Sequence, residues 1–202
     1  SAYPGLLDLP SAAWEATTIA DLYPARYLLV DEDASAKTVL REMQEADVIH
    51  FALHSVLDER FPTRSKFLLA TEATADANTE ADESALFAYE IYGLDLTRAR
   101  LAVLSACETG TGRYFGGEGV INMARPFLAA GVPMVVATLW PVESNSTAKL
   151  MVEFHRLRRK EGFTSARALQ KAQLELLHDP DERLHQPSYW APFILIGGHA
   201  EF

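Results

Sequence analysis

The sequence predicts an α/β domain in which a mostly parallel sheet is covered by helices on both faces. Two observations lead to this prediction. Short apolar runs bounded by polar residues, glycine or proline recur along the chain, and segments with helical periodicity lie between them. Continuously apolar strands separated by helices are typical of a parallel sheet that is buried on both sides. The length of 202 residues suits one such domain.

Five apolar runs predict strands, and a sixth predicts a short accessory strand or hairpin arm. In chain order the strands are expected at 27–30, 48–53, 101–106, 134–139 and 193–196, and the weaker run covers 67–70. The last of the five is closed by Gly197 and Gly198, which favour a turn after a strand. Ligands and chemistry are expected at the carboxyl ends of these strands, as is usual in open parallel sheets.

Apolar side chains at steps of three and four residues predict five helices between the strands. They are expected at 12–23, 36–45, 118–130, 147–159 and 165–177. The segment Gly131-Val132-Pro133 is expected to end the third of them, because glycine just past a helix and proline soon after are common stop signals. The stretch 71–84 is rich in Ala, Thr, Asp and Glu without periodicity, and it is interpreted as an acidic loop insertion.

Composition excludes several classes of function. With 18 Lys and Arg against 28 Asp and Glu the net charge is −10, which argues against a nucleic-acid-binding protein. No apolar run is long enough for a transmembrane helix, so no membrane partner is expected. One cysteine permits neither an internal disulfide nor a multi-cysteine zinc site, and a reducing, cytoplasmic compartment is the simpler expectation. The glycines after Cys107 have the wrong spacing for a dinucleotide loop, so we expect no metal or nucleotide cofactor.

Two residues that follow predicted strands could form a nucleophilic pair. Cys107 comes directly after the strand at 101–106, and His54 comes directly after the strand at 48–53. A cysteine with the usual pKa of about 8.5 is mostly protonated at neutral pH, and an adjacent imidazole raises its thiolate fraction. The alternatives are an inert buried thiol and a histidine that only caps a strand. His50 lies mid-strand and is expected to face a helix, whereas His155 is expected on the surface.

The sequences around these two residues resemble the signature strands of the CHAT domain, a relative of the caspase-like cysteine peptidases. The resemblance is strongest in VIHFALH (48–54) and LSACETG (104–110), and it continues through GEGV (117–120), ATLWPV (137–142) and YWAPFILIG (189–197). It implies a caspase-like α/β fold with a His54–Cys107 dyad, and an oxyanion hole made by the backbone N–H groups of Ser55 and Cys107. Ser55 is a departure, because the family usually has glycine after the catalytic histidine.

The resemblance also implies where a substrate would be recognised. Ser105 precedes the nucleophile by two residues and is neutral, so the primary pocket is expected to accept an uncharged residue or to draw charge from Glu108, Glu118 or Glu143. Trp140 resembles the residue that walls the substrate subsites of caspases, and its alternative role is that of a core aromatic.

Taken as a whole, the chain is expected to be a single CHAT domain over 1–202. The family usually has another strand ahead of Leu9 and often has upstream helical repeats, and we expect both to lie outside this sequence. The function implied is a cysteine endopeptidase that cleaves protein or peptide substrates and is regulated by a helical-repeat module or partner. The alternatives are an inactive or latent CHAT scaffold that binds peptides or proteins, and an esterase or acyltransferase that uses the same thiol.

Overall fold

The computed structural model describes residues 9–58, 60–70, 84–108 and 118–198. Its six strands are β1 (Val48–Val56), β2 (Lys66–Leu68), β3 (Ala85–Phe87), β4 (Leu101–Glu108), β5 (Met134–Thr138) and β6 (Phe193–Gly197). They form one sheet in the order β3-β2-β1-β4-β5-β6. The three central strands β1, β4 and β5 are parallel, and β2, β3 and β6 add antiparallel pairs at the two sides. The α/β class is therefore confirmed, with a sheet that is mixed at its margins.

In the described parts of the chain, six α-helices cover the two faces of this sheet: α1 (Pro10–Ala20), α2 (Ala36–Met43), α3 (Ala88–Ile91), α4 (Glu118–Ala129), α5 (Ser144–Glu161) and α6 (Ser165–Leu177). Alternate strand residues point to opposite faces, so β4 contributes to two cores. Ala102 and Leu104 pack with residues of α2, α3 and α4, and Leu101 and Val103 pack with residues of α1, α5 and α6. Burial on both sides explains why the central strands are continuously apolar.

The helix ends follow the expected local chemistry. Side chains at the N-caps of three helices accept hydrogen bonds from backbone N–H groups: Ser35 for α2, Glu143 for α5 and Thr164 for α6. After α4 the chain reaches Gly131, which has a φ of 107°, so the predicted stop is confirmed. Within the described parts of the chain, none of the helices has the length and apolar character needed to cross a membrane.

One predicted strand is wrong, and two short elements were not predicted. The segment 27–30 is irregular and largely exposed, with Tyr27 at 78% exposure, although its sequence is typical of a strand. The weak run at 67–70 does form a hairpin arm, as β2, but its partner β3 and the four-residue α3 gave no periodic signal. The acidic loop prediction lies outside the described residues except for Ser84, which is fully buried.

Candidate active site

The structure brings His54 and Cys107 to neighbouring backbone positions. β1 and β4 pair in parallel over eight residues, from Val48 opposite Leu101 to Ser55 opposite Glu108, and His54 lies opposite Cys107 in this register. Neighbouring strands in a sheet are about 4.8 Å apart. The two predicted residues therefore share the carboxyl end of adjacent central strands, while their catalytic roles stay predictions.

Burial fixes the position of this strand pair. Residues 101–105 of β4 are all buried, and β1 packs against β4 and against the helices on both faces of the sheet. A shift of one residue in this register would turn the whole apolar set of β1 to the opposite face, which the two cores forbid. His54 itself is half-buried, and the Nδ1 atom of its imidazole is buried.

Ser55 lies inside the sheet rather than at a strand-to-loop turn. It is 4% exposed, and it is in register with Phe67 of β2 on one side and Glu108 of β4 on the other. In a strand that is paired on both edges, the N–H and C=O groups point in the plane of the sheet toward its neighbours. The N–H group of Ser55 therefore points toward a neighbouring strand, whereas the oxyanion role that the resemblance implies would need it to face a substrate.

The predicted substrate-recognition residues occupy the same end of the sheet. Ser105 lies opposite Ala52 and is 6% exposed, and its buried hydroxyl makes no hydrogen bond to any residue that the structure describes. Trp140 follows β5 by two residues and is 36% exposed. Both are therefore near the carboxyl ends of the central strands, one in the interior and one at the surface.

Of the three acids named as sources of pocket charge, Glu143 already has a structural task. Its carboxylate accepts hydrogen bonds from the backbone N–H groups of Asn145 (3.0 Å) and Ser146 (2.8 Å) at the start of α5. A carboxylate at a helix N-terminus is stabilised by these donors and by the helix dipole. Glu108 ends β4 and Glu118 begins α4, and their side chains lie outside what the structure describes.

A buried chain of polar side chains lies on the α1 and α5 side of β1. The Glu15 carboxylate of α1 is 2.8 Å from Nε2 of His50, and Nδ1 of His50 is 3.2 Å from Nε2 of His155. Nδ1 of His155 is in turn 2.7 Å from the hydroxyl of Tyr23. The predicted contact of His50 with a helix is confirmed, and this polar chain ties β1 to α1 and α5.

The predicted surface position of His155 is wrong, because its side chain is fully buried. The signal was available in the sequence: His155 follows Met151 by four residues and therefore lies on the apolar face of α5. Burial holds the pKa of His155 well below its usual range, and His50 and Arg158 lower it further. Burial likewise raises the pKa of Tyr23, against the opposing effect of Arg158 and Arg159.

His50 and His54 lie at different positions along β1. Both lie on the same face of β1, but four residues of strand separate them by about 13 Å. The contacts of His50 in this polar chain are with Glu15 and His155. Across the described residues, no group of three His, Cys, Asp or Glu side chains is arranged to hold a metal ion.

Comparison with known proteins gives a consistent result. The family model for the CHAT domain matches residues 3–198. Two curated relatives are both described as tetratricopeptide repeat protein 28: the protein from Mus musculus is 28% identical over 215 residues, and the protein from Homo sapiens is 26% identical over 215 residues. In each case the match covers 94% of this chain but only 8% of the relative.

Proposed function

Because the chain belongs to the CHAT domain family, whose wider context is the caspase-like peptidases, we propose that it is a cysteine endopeptidase domain acting through His54 and Cys107. The observation that supports this most directly is the parallel register that sets His54 opposite Cys107 at the carboxyl ends of two central strands. A nucleophile and its base must lie within hydrogen-bond reach, and adjacent positions on paired strands allow this without any backbone rearrangement.

In the proposed first half-reaction, His54 accepts the thiol proton and the Cys107 thiolate attacks the scissile carbonyl carbon. A carbon–sulfur bond forms while the carbonyl electron pair moves to oxygen. Collapse of this tetrahedral intermediate breaks the carbon–nitrogen bond, and the imidazolium of His54 protonates the departing amine. The products of this stage are the free amine and a thioester of Cys107.

In the second half-reaction, His54 takes a proton from water as the water attacks the thioester. The carbon–sulfur bond breaks, the carboxylic acid product leaves, and the proton returns to the cysteine sulfur. Both stages place negative charge on the former carbonyl oxygen. Backbone N–H groups near the strand tips are the proposed donors for it, those of Cys107 and Ser55.

The proposed substrate is an extended peptide whose residue before the scissile bond is uncharged. Ser105 offers a neutral buried hydroxyl that has no hydrogen-bond partner among the described residues, and a buried unpaired hydroxyl favours a ligand that can satisfy it. Glu143 is engaged at the start of α5, so it is not expected to supply a charge to this pocket. The half-exposed Trp140 is the proposed wall of an adjacent subsite.

The dyad is tested by alkylation of the thiol with iodoacetamide at pH 7. Cys107 is the only cysteine of the sequence, so every labelled molecule reports on it. An unperturbed thiol is only about 3% thiolate at pH 7, which leaves room for a rate increase of tenfold or more when an imidazole stabilises the thiolate. We expect His54→Ala to slow labelling about tenfold, and His178→Ala, an exposed histidine, to leave it unchanged. Equal rates in the wild type and His54→Ala would rule out the dyad.

A latent form of the enzyme is favoured by the position of Ser55. Its pairing on both edges directs its N–H into the sheet, so use of that N–H for an oxyanion requires the tip of β1 to part from β2 or β4. We infer that the proposed activity is released by a partner or an upstream module. The two curated relatives carry the tetratricopeptide repeat in their names, which makes a helical-repeat module the natural candidate.

Peptide-library cleavage separates the active from the latent form. Cleavage that is lost in Cys107→Ser supports an active endopeptidase. Fast, His54-dependent labelling without cleavage of any library member supports the latent enzyme. Equally slow labelling in the wild type and in His54→Ala supports a scaffold that only binds peptides or proteins.

A further inference from the structure

Two buried hydroxyl groups near the carboxyl end of the sheet make no hydrogen bond to any residue that the structure describes. They are Oγ of Ser105 in β4 and Oγ1 of Thr147 in the first turn of α5. Ser105 is 6% exposed and Thr147 is 3% exposed. Buried hydroxyls are usually hydrogen-bonded, because an unsatisfied one loses its bonds to water on folding and gains no partner in exchange. A hydroxyl that is kept at this cost indicates a task outside the folded chain itself.

Both hydroxyls belong to the layer between β4 and α5. Val103 packs in the core that α1, α5 and α6 form on one face of the sheet, and Ser105, two residues further along the strand, lies on the same face. Thr147 precedes Met151 by four residues and Phe154 by seven, which places all three on one stripe of α5. Met151 and Phe154 pack in the same core as Val103. The two hydroxyls therefore face the same layer from opposite sides.

The two hydroxyls also lie at the same level along the strands. His155 of α5 is hydrogen-bonded to His50, which is level with Val103 of β4. α5 follows β5 at the carboxyl end of the parallel strands and returns across the sheet, so the earlier residues of α5 lie nearer to that end. Thr147 precedes His155 by about 12 Å of helix. Residues 105–107 follow Val103 by about 7–13 Å of strand, so Thr147 is level with the end of β4 that carries the proposed nucleophile.

We propose that Thr147 is a further specificity-determining residue, and that its hydroxyl and that of Ser105 together select a side-chain carboxamide, asparagine or glutamine, before the scissile bond. The inference rests on the proposed function, since it assigns Thr147 to the primary pocket of that peptidase. Each hydroxyl can donate one hydrogen bond and can also accept. A carboxamide carries a carbonyl acceptor and an N–H donor on one planar group, so a single side chain satisfies both hydroxyls.

Other substrate side chains suit the two hydroxyls less well. An alkyl side chain would leave both of them unsatisfied, as they are in the free protein. A carboxylate would be a buried charge, and Ala52, the neighbour of Ser105 in β1, offers it no partner. Because both hydroxyls are covered in the free protein, a substrate reaches them only after the covering side chains move. This requirement agrees with the latent form inferred from the pairing of Ser55.

The test compares peptidyl acyloxymethyl ketones that alkylate Cys107 and differ only in the residue next to the ketone. The pairs are glutamine against methionine and asparagine against leucine, in which each apolar partner has nearly the shape of the amide. We expect the better amide to react about tenfold faster than its apolar partner, because a pocket built for hydrogen bonds rejects an analogue that lacks them. An irreversible probe accumulates on the open form however small its population, and the ratio of two rates is independent of that population.

Matched variants identify the hydroxyl that is responsible. Thr147→Val removes the hydroxyl at nearly constant shape and is expected to lower the ratio of amide to apolar rates about tenfold. Thr17→Val, at an exposed position of α1, is expected to leave the ratio unchanged. A ratio near one in the wild type, or a ratio that survives Thr147→Val, overturns the inference.

Urea unfolding gives a second readout that needs no peptidase activity. The unfolding midpoint of Thr147→Val is expected to equal or exceed that of the wild type, since the lost hydroxyl has no partner among the described residues. Ser146→Ala is the contrasting control, because its hydroxyl donates to the backbone oxygen of Glu143 (2.8 Å), and its midpoint is expected to fall. A lower midpoint for Thr147→Val would show that the hydroxyl has a structural partner, and would overturn the inference.

Iodoacetamide, which does not use the pocket, separates failure of this inference from failure of the proposed function. Fast labelling that depends on His54, with equal rates for the amide and apolar ketones, overturns the role of Thr147 and leaves the dyad standing. Equal iodoacetamide rates in the wild type and His54→Ala overturn the dyad, and the pocket assigned to it falls as well.

Discussion

The buried His155 makes the stability of the fold depend on pH in a way that can be calculated. Its imidazole is fully buried, between the hydroxyl of Tyr23 and the ring of His50, with Arg158 on the same helix. Burial is the main reason that its pKa lies well below the usual range, and the neighbouring His50 and Arg158 act in the same direction. The folded protein therefore keeps His155 neutral in mildly acid solution.

The unfolded chain does not keep it neutral. There His155 has the ordinary pKa of about 6.5, so below that pH the unfolded state binds a proton that the folded state does not bind. Stability rises with pH wherever the unfolded state binds more protons, so it falls as the pH drops below about 6.5. For a histidine that stays neutral in the folded state throughout this range, the loss in unfolding free energy between pH 7.5 and pH 5.0 is about 2 kcal/mol, which is the upper limit for one group. Hydrogen bonds from Arg183 lower the pKa of Asp181 to about 2, so the contribution of Asp181 to stability changes only in more acid solution.

Urea unfolding at pH 7.5 and pH 5.0 measures this loss. Over this interval we expect the free energy of unfolding to fall by about 2 kcal/mol more in the wild type than in His155→Gln. The reason is that the glutamine amide does not titrate and can still donate and accept hydrogen bonds. His178→Gln is the matched control, because His178 is exposed after α6 and its loss is expected to leave the wild-type difference intact. The reasoning is refuted if His155→Gln keeps the full pH dependence of the wild type.

Two further predictions concern backbone conformation at two glycines and the N-cap of α5. Gly197→Ala is expected to cost about 2–5 kcal/mol in chemical denaturation, since Gly197 has a φ of 112° and its new Cβ would lie 2.3 Å from the backbone oxygen of Pro133. Gly162→Ala, at a φ of 69° with no atom within 4 Å, is expected to cost only about 1 kcal/mol, and equal losses at both glycines would contradict this account. Glu143→Ala is expected to cost about 1 kcal/mol through the lost N-cap of α5, and an unchanged unfolding midpoint would show that water replaces the cap.

Much of the fold could be predicted from the sequence because the central strands are buried on both faces. That environment demands uninterrupted apolar runs, and four such runs correspond to β1, β4, β5 and β6. The long helices gave clear periodicity for the same reason, since each packs one face on the sheet. β3 and α3 could not be found in this way, because elements of three and four residues are too short for a period to appear.

The site was predictable in its chain positions but not in its surroundings. The order of the residues puts His54 and Cys107 after apolar runs, and parallel pairing then makes them neighbours. Periodicity alone gave no sign that Ser55 would be paired on both edges, since that depends on the register of the short antiparallel strand β2, for which the sequence gave only a weak apolar run. The contact between His50 and Glu15 was equally hidden, because a buried carboxylate is recognised only when its partner is known.

The wrong strand at 27–30 has a different physical cause. Strand propensity describes how well a segment fits a pleated, half-buried surface, and it is realised only when a neighbouring strand supplies hydrogen-bond partners. The segment has the apolar side chains and, at Val30, the extended backbone of a strand, but no described strand lies in register with it. The same dependence on a partner explains why β1 was found: it pairs with β4 over eight residues, and the contact between Glu15 and His50 attaches it to α1. A strand is therefore predictable where its partner is also a long apolar run, and it is over-predicted where no described partner exists.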